Sequence, residues 1–158
     1  MPQADKFNFI RVTDDINMIE KIQSILKTCG EDMYKNQGLD HWLNPYPIEL
    51  IKNDCENSEV YILKNETEIA TFQLKKDDKG YLLSKFGVLP TYSGKGIGKK
   101  CLQFIYGKCI ENQISLLHLD VYEKSEKAIE FYIKNGFEVY GTAPTRRFKV
   151  VLMERKIQ

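Results

Sequence analysis

From Val88 to Lys100 the chain runs Val-Leu-Pro-Thr-Tyr-Ser-Gly-Lys-Gly-Ile-Gly-Lys-Lys, an apolar run joined to an amphipathic helix through Gly94, Gly96 and Gly98. This junction limits the fold more than any other segment, because a strand must end and a helix begin across a backbone that glycine leaves unusually free. The first turn of a helix has amides with no intrahelical partner, and residues without a Cβ let an anion come close to them. Lys95, Lys99 and Lys100 add positive charge around the same place. The layout is that of a phosphate cradle, although glycine loops also serve as plain turns.

Two well-known phosphate loops can be tested letter by letter. A Walker A loop ending at Gly98-Lys99 needs glycine at 93 and Ser or Thr at 100, where the chain has Ser93 and Lys100. A dinucleotide fingerprint starting at Gly94 needs glycine at 99, where Lys99 stands. Both fail, so any pyrophosphate held here belongs to another kind of ligand.

The 158 residues suit one domain, 1–158, and 42% hydrophobic with 28% charged residues is ordinary globular composition. A net charge of +1 supplies no global field for nucleic acid or an anionic membrane, so neither is expected as a partner. Cys29, Cys55, Cys101 and Cys109 show no CxxC spacing, and only His41 and His118 could join them, so no metal site is expected. Free, mostly buried thiols fit a reducing compartment. Met1 to Arg11 has no signal-like apolar stretch, and no run of about 18 apolar residues occurs, so a soluble cytoplasmic protein is expected.

Phe7, Phe9 and Val12 read as a strand, Thr13-Asp14-Asp15 as an N-cap with acidic residues in the first turn, and Ile16 to about Cys29 as a helix stopped by Gly30. Glu31 to Pro47 reads as a loop with room for a short helix, and about Pro47 to Glu56 as a second helix. Val60–Leu63, Ile69–Leu74 and Tyr81–Val88 form a predicted antiparallel meander that leads into the glycine loop. After the helix beyond it, Ile114–Val121 reads as a strand parallel to the one ending at Val88, because a helical crossover separates them. Ser125 caps a further helix that Asn135-Gly136 ends, and Phe137–Tyr140 with Phe148–Met153 close the chain as a hairpin-like pair. The expected fold class is α/β (α+β), with helices flanking a mixed, mostly antiparallel sheet.

Val88-Leu89-Pro90, Gly94-Lys95-Gly96-Ile97-Gly98, Leu119-Asp120-Val121, Ser125-Glu126-Lys127-Ala128, Phe131-Tyr132 and Asn135-Gly136-Phe137 together resemble the GNAT N-acetyltransferases, which are acyl-CoA-dependent. The resemblance runs from about Val60 to Lys156 and implies a single GNAT-like domain with splayed central strands. It implies acetyl-CoA as acyl donor, with the backbone of Phe86 and Val88 pairing with the pantetheine arm and the amides of Ser93, Gly94, Lys95, Gly96, Ile97, Gly98 and Lys99 holding the pyrophosphate. Gly87 reads either as a slot for that arm or as a poor strand residue. Two positions depart from the family pattern: Ser93 stands where Arg or Gln usually opens the loop motif, and Ser125 where Asn often precedes the last helix. Ser125 remains a cofactor-site residue in this reading.

Acetyl transfer to an amine needs a neutral nucleophile, a donor for the developing oxyanion and a proton for the departing thiolate. By resemblance, Tyr132 supplies the proton, and the Val88 amide at the strand end is the natural oxyanion donor; periodicity alone reads Tyr132 as a core aromatic. Many relatives carry a carboxylate on the strand before the loop, but Leu83-Ser84-Lys85-Phe86 has none. Asp120, Glu123 and His118 are alternatives, and the base stays unassigned. Trp42 and Tyr46 are candidate walls of the acceptor site, with Trp42 also readable as a core plug, and Arg146 and Arg147 hint at an anionic group on the acceptor. The expected activity is acetylation of a primary amine on a small molecule or protein, with a small-molecule or peptide amine as the acceptor. The alternative is a CoA-binding module of weak or no turnover. Exposed sheet edges are compatible with a homodimer.

Overall fold

The computed structural model describes residues 6–44 and 46–157; Pro45 and the first residues of the Met1–Arg11 stretch lie outside them. Seven strands form one mixed sheet in the order β1-β2-β3-β4-β5-β7-β6, accompanied by four helices. The chain divides into two compact units, one comprising residues up to Lys75 with Lys85–Gly98, the other Lys76–Ser84 with residues from Lys99 onward.

In the first unit β1 (Asn8–Val12) pairs antiparallel with β2 (Glu59–Asn65), and β2 with β3 (Thr67–Lys76). The helix α1 (Ile16–Gln37) starts at Asp15, whose carboxylate accepts from the amides of Asn17 and Met18 at 3.0 and 3.3 Å. The acidic group is thus the cap itself, and none lies in the first turn. The helix runs a full eight residues beyond Cys29, and Gly38, at φ 69°, ends it instead of Gly30. Gly30 is a glycine for another reason, given below. Ile19, Ile22 and Leu26 of α1 pack with Val12, Val60, Ile62 and, from α2 (Ile48–Asn57), Ile51 and Cys55. Ile16, the first residue of the helix, is exposed.

In the second unit the first residues of β4 (Tyr81–Val88) pair in parallel with β5 (Leu116–Tyr122), at Tyr81↔Leu117 and Leu82↔His118. This is the expected crossover through α3 (Ile97–Glu111). β7 (Lys149–Lys156) pairs antiparallel with both β5 and β6 (Glu138–Pro144), with a register shift between Val139 and Gly141. Cys101, Leu102, Ile105, Cys109, Leu117 and Met153 are fully buried here. α4 (Glu126–Lys134) is capped at Asn135, and Gly136 follows with φ 89°.

Candidate functional site

β4 gives way to the glycine loop in an orderly sequence of backbone bonds. Leu89 N–H donates to Ile69 O at 2.9 Å, and a 3-10 turn over Pro90–Tyr92 follows. Ser93 N–H donates back to Pro90 O at 3.0 Å, so this amide, counted among the pyrophosphate donors from sequence, is taken up by the turn. Gly94 and Gly96 have φ of 75° and 77°, and a Cβ on either would meet nothing within 4 Å. Glycine is needed here for backbone direction, not for lack of room, and the space over the loop is open. Ile97 is buried and anchors the start of α3, so its part in a cradle is its amide alone. Lys95 and Lys99 are exposed, and Lys95 Nζ lies 5.5 Å from the Tyr92 ring centroid.

The strand end is held from α1. Cys29 Sγ–H donates to Val88 O at 3.2 Å. Burial, then the nearby Asp32 carboxylate, pushes the Cys29 thiol up to about 12, which keeps the hydrogen that this bond uses. A Cβ on Gly87 would lie 3.1 Å from Cys29 Sγ and 3.5 Å from the Trp42 ring, so the residue is small because α1 and Trp42 approach the strand closely. Trp42 meets Tyr46 edge-on at 6.4 Å, and both pack half-buried against the core of this unit. Gln23 Nε2 donates to Tyr46 O at 2.7 Å. Burial, then Asp54, raises the Tyr46 phenol above its ordinary value. Trp42 and Tyr46 are therefore packing residues that keep a partly exposed aromatic surface, and Trp42 flanks the last residues of β4.

The sequence reading missed an ion pair in this unit. Lys85 Nζ lies 3.1 Å from Asp54 Oδ2 of α2, and Gln73 Nε2 donates to the same oxygen at 3.0 Å. Asp54 stands three residues after Ile51 and one before Cys55, on the flank of the buried face, which was the available signal.

In the second unit Ser125 occupies the cap position of α4 by its main chain: Ile129 N–H donates to Ser125 O at 3.0 Å. Its side chain does not cap, contrary to expectation. Ser125 is 4% exposed, and its Oγ has no hydrogen-bond partner among the described residues. A buried hydroxyl left in this state fits a ligand that supplies the missing partner. In the first unit, the open glycine loop is by itself compatible with the phosphates of a CoA-type ligand.

Tyr132 is buried, with Phe131 and Phe137 each 5.3 Å from it, edge to face. Burial, with Tyr106 adding to it, raises the phenol far above its ordinary value, so it keeps its proton through the neutral range. The end of α4 is pinned around it: Phe137 N–H donates to Tyr132 O at 3.0 Å, and Asn135 O accepts from Arg155 Nη1 and from Tyr106 Oη. Of the alternative bases, His118 is committed elsewhere, its Nε2 2.8 Å from Asp77 Oδ2. Asp120 is exposed within the β5–β7 pairing.

All four cysteines are free and buried, and among the described residues no cluster of His, Cys, Asp and Glu could hold a metal ion. No helix of the described residues is long and apolar enough to cross a membrane.

A family model described as an acetyltransferase (GNAT) domain matches residues 56–139, more than half of the chain. An uncharacterized N-acetyltransferase of Mycobacterium tuberculosis is 30% identical over 73 residues, 46% of this chain and 47% of that relative. The match thus spans about half the length of the curated relative. Among solved structures, the PaiA N-acetyltransferase from Thermoplasma acidophilum, in complex with coenzyme A, superposes with a TM-score of 0.79 at 20% identity, covering 96% of this chain and 99% of the other. The ribosomal-protein-S18-alanine N-acetyltransferase from Escherichia coli does so at 0.76 and 17% identity, covering 97% and 95%. At these identities the likeness is one of fold.

Proposed function

The chain belongs to the GNAT acetyltransferase family, and from that premise we propose that it moves an acetyl group from acetyl-CoA to a primary amine of a small molecule or protein. The observation that carries the reading is the loop at the start of α3, where Gly94 and Gly96 hold positive φ with open space above them. In this reading the amides from Gly94 to Lys99 and the lysines beside them hold the pyrophosphate, and the main chain of Phe86 and Val88 pairs with the pantetheine arm. The unpartnered Ser125 hydroxyl supports a further contact to the same ligand. The solved structure of a protein of this fold with coenzyme A lends support as well.

Acetyl-CoA supplies the activated acyl group. The amine nitrogen bonds to the thioester carbonyl carbon, the C–S bond breaks, and the proton that the nitrogen sheds passes to solvent water. The Val88 amide donates to the oxygen on which negative charge develops. Tyr132 gives its phenolic proton to the departing thiolate, a role served by a phenol that burial keeps protonated. Trp42 and Tyr46 present aromatic surface to the acceptor, which suits a cationic amine. An α-amino group, with an ordinary pKa near 8, needs less help in losing its proton than a lysine near 10.4, which suits a chain with no acid of its own on β4. The same reading takes the protein as a cytoplasmic single domain, with a homodimer through exposed sheet edges as the assembly to test.

A second reading, a CoA-binding module without turnover, is favoured by Ser93, by Ser125 and by the absence of a carboxylate from Leu83 to Phe86. Free-thiol release from acetyl-CoA, measured with and without polyamines, aminoglycosides, amino acids and short peptides, separates the two. Acceptor-dependent release is expected. A thermal shift with CoA but no release across the panel would support the binding module, and no thermal shift at high micromolar CoA would sink both.

A further inference from the structure

Lys85 has a backbone φ of 46° in the middle of β4. Of the other described non-glycine residues with positive φ, Glu66 sits in the turn between β2 and β3, and Gln113 between α3 and β5. Lys85 is the one placed inside a strand. A residue with a Cβ avoids this conformation unless its surroundings impose it. The surroundings here are specific. The Lys85 ammonium meets the Asp54 carboxylate at 3.1 Å, with the pair's side chains only 18% and 15% exposed. Gln73 holds the same carboxylate oxygen at 3.0 Å, and the Tyr46 ring centroid lies 5.1 Å from Lys85 Nζ. Two charges so far removed from water depend on each other, so the side chain cannot leave without stranding its partner.

We propose that Asp54 and Lys85 are positioning residues for acyl transfer: their ion pair holds residue 85 in the left-handed conformation and thereby sets the direction of the peptide groups of Phe86, Gly87 and Val88. This rests on the reading of Phe86 and Val88 as the acyl-donor strand. Neither side chain touches the reacting atoms. α2 thus supplies a carboxylate to β4, whose own sequence has none, and the carboxylate acts through the backbone. A left-handed residue inserted in a strand turns the following peptide planes relative to the ladder, which is how bulges re-aim the groups after them.

Lys85→Ala and Lys85→Gly remove the ion pair equally but differ in backbone freedom, since glycine adopts this φ readily and alanine does not. The expected result is that Lys85→Gly binds CoA about fivefold or more tightly than Lys85→Ala. The NMR amide shifts of residues 86–88 in the free protein should stay near wild type in the glycine variant and move in the alanine variant. Asp54→Asn, which keeps the shape of the carboxylate, should move the same amides in the wild-type background and leave them in place in the Lys85→Gly background. Equal CoA affinities and equal amide shifts in the alanine and glycine variants would overturn the proposal. If wild-type protein binds no CoA, the acetyltransferase reading fails while the amide shifts still decide this one.

Discussion

The carbonyl oxygen of Trp42 occupies the space that a Cβ on residue 30 would need. Gly30 lies inside α1, fully covered, so its lack of a side chain lets the segment after the helix cross directly over the helix backbone. Alanine in place of a helix-interior glycine ordinarily stabilises by about 0.5–1 kcal/mol. Here the sign reverses: Gly30→Ala should cost about 1–3 kcal/mol, because main chain must move to admit the methyl group. Urea unfolding checks this, and a raised midpoint would contradict the packing described.

Ser125→Ala separates folding from ligand binding. The buried Oγ has no partner among the described residues, so its removal should leave the free protein as stable as wild type or up to about 1 kcal/mol more stable. If CoA completes that hydroxyl, affinity for CoA should fall about three- to tenfold in the same variant. Calorimetric titration showing unchanged affinity would remove Ser125 from the site.

Tyr132→Phe should retain CoA affinity and lose turnover by about 100-fold or more. Wild-type turnover despite the change would take the phenol out of the mechanism. The variant also has a stability signature. Because the folded phenol titrates above its unfolded value, its contribution is fully present below about pH 10 and is lost as pH rises from there toward the folded value. Stability above about pH 10 should therefore fall less steeply in Tyr132→Phe than in wild type.

Asp77 should mark the acid limb. Burial works to raise its pKa, but the His118 hydrogen bond and the Gly80 and Lys79 amides outweigh it and hold the carboxyl below its ordinary value. A depressed carboxyl contributes stability above its unfolded pKa of about 4, and loses it as pH falls through the lower folded value. Asp77→Asn should flatten the fall in stability below about pH 4, as read by thermal melts at stepped pH. An unchanged acid limb would show that the pair with His118 is not felt in solution.

Gly30 and Gly38 show how local signals and tertiary ones diverge. Both stand near plausible helix ends in the sequence, yet one is an αL cap and the other a crossing point, and only the position of Trp42 tells them apart. Gly87 carries the same lesson: a glycine in a strand pattern announces close approach, while the identity of what approaches, Cys29 and Trp42, belongs to the packing. The turn at Gly94 and Gly96 and the buried position of Tyr132 were legible because loop chemistry and helical spacing are short-range patterns. Asp54, Cys29 and the strand conformation of Lys85 were not, because each depends on a partner 31 to 59 residues away in the chain for which no local pattern exists. Ser125 was legible as a cap position and illegible as an unpartnered hydroxyl, since capping by side chain or by main chain alone is decided by the rotamer that packing allows.

By itself the sequence determined the order and kind of the elements from β1 to β7, the parallel step from β4 to β5, and the glycine loop, because alternation, helical period and turn residues act over a few residues. The tertiary structure alone decided that α1 passes through Gly30, that Ser93 gives its amide to a turn, that His118 belongs to Asp77, and that Asp54 reaches Lys85. Those outcomes rest on burial and hydrogen-bond satisfaction, which compare groups distant in the chain and have no value until the chain has brought them together.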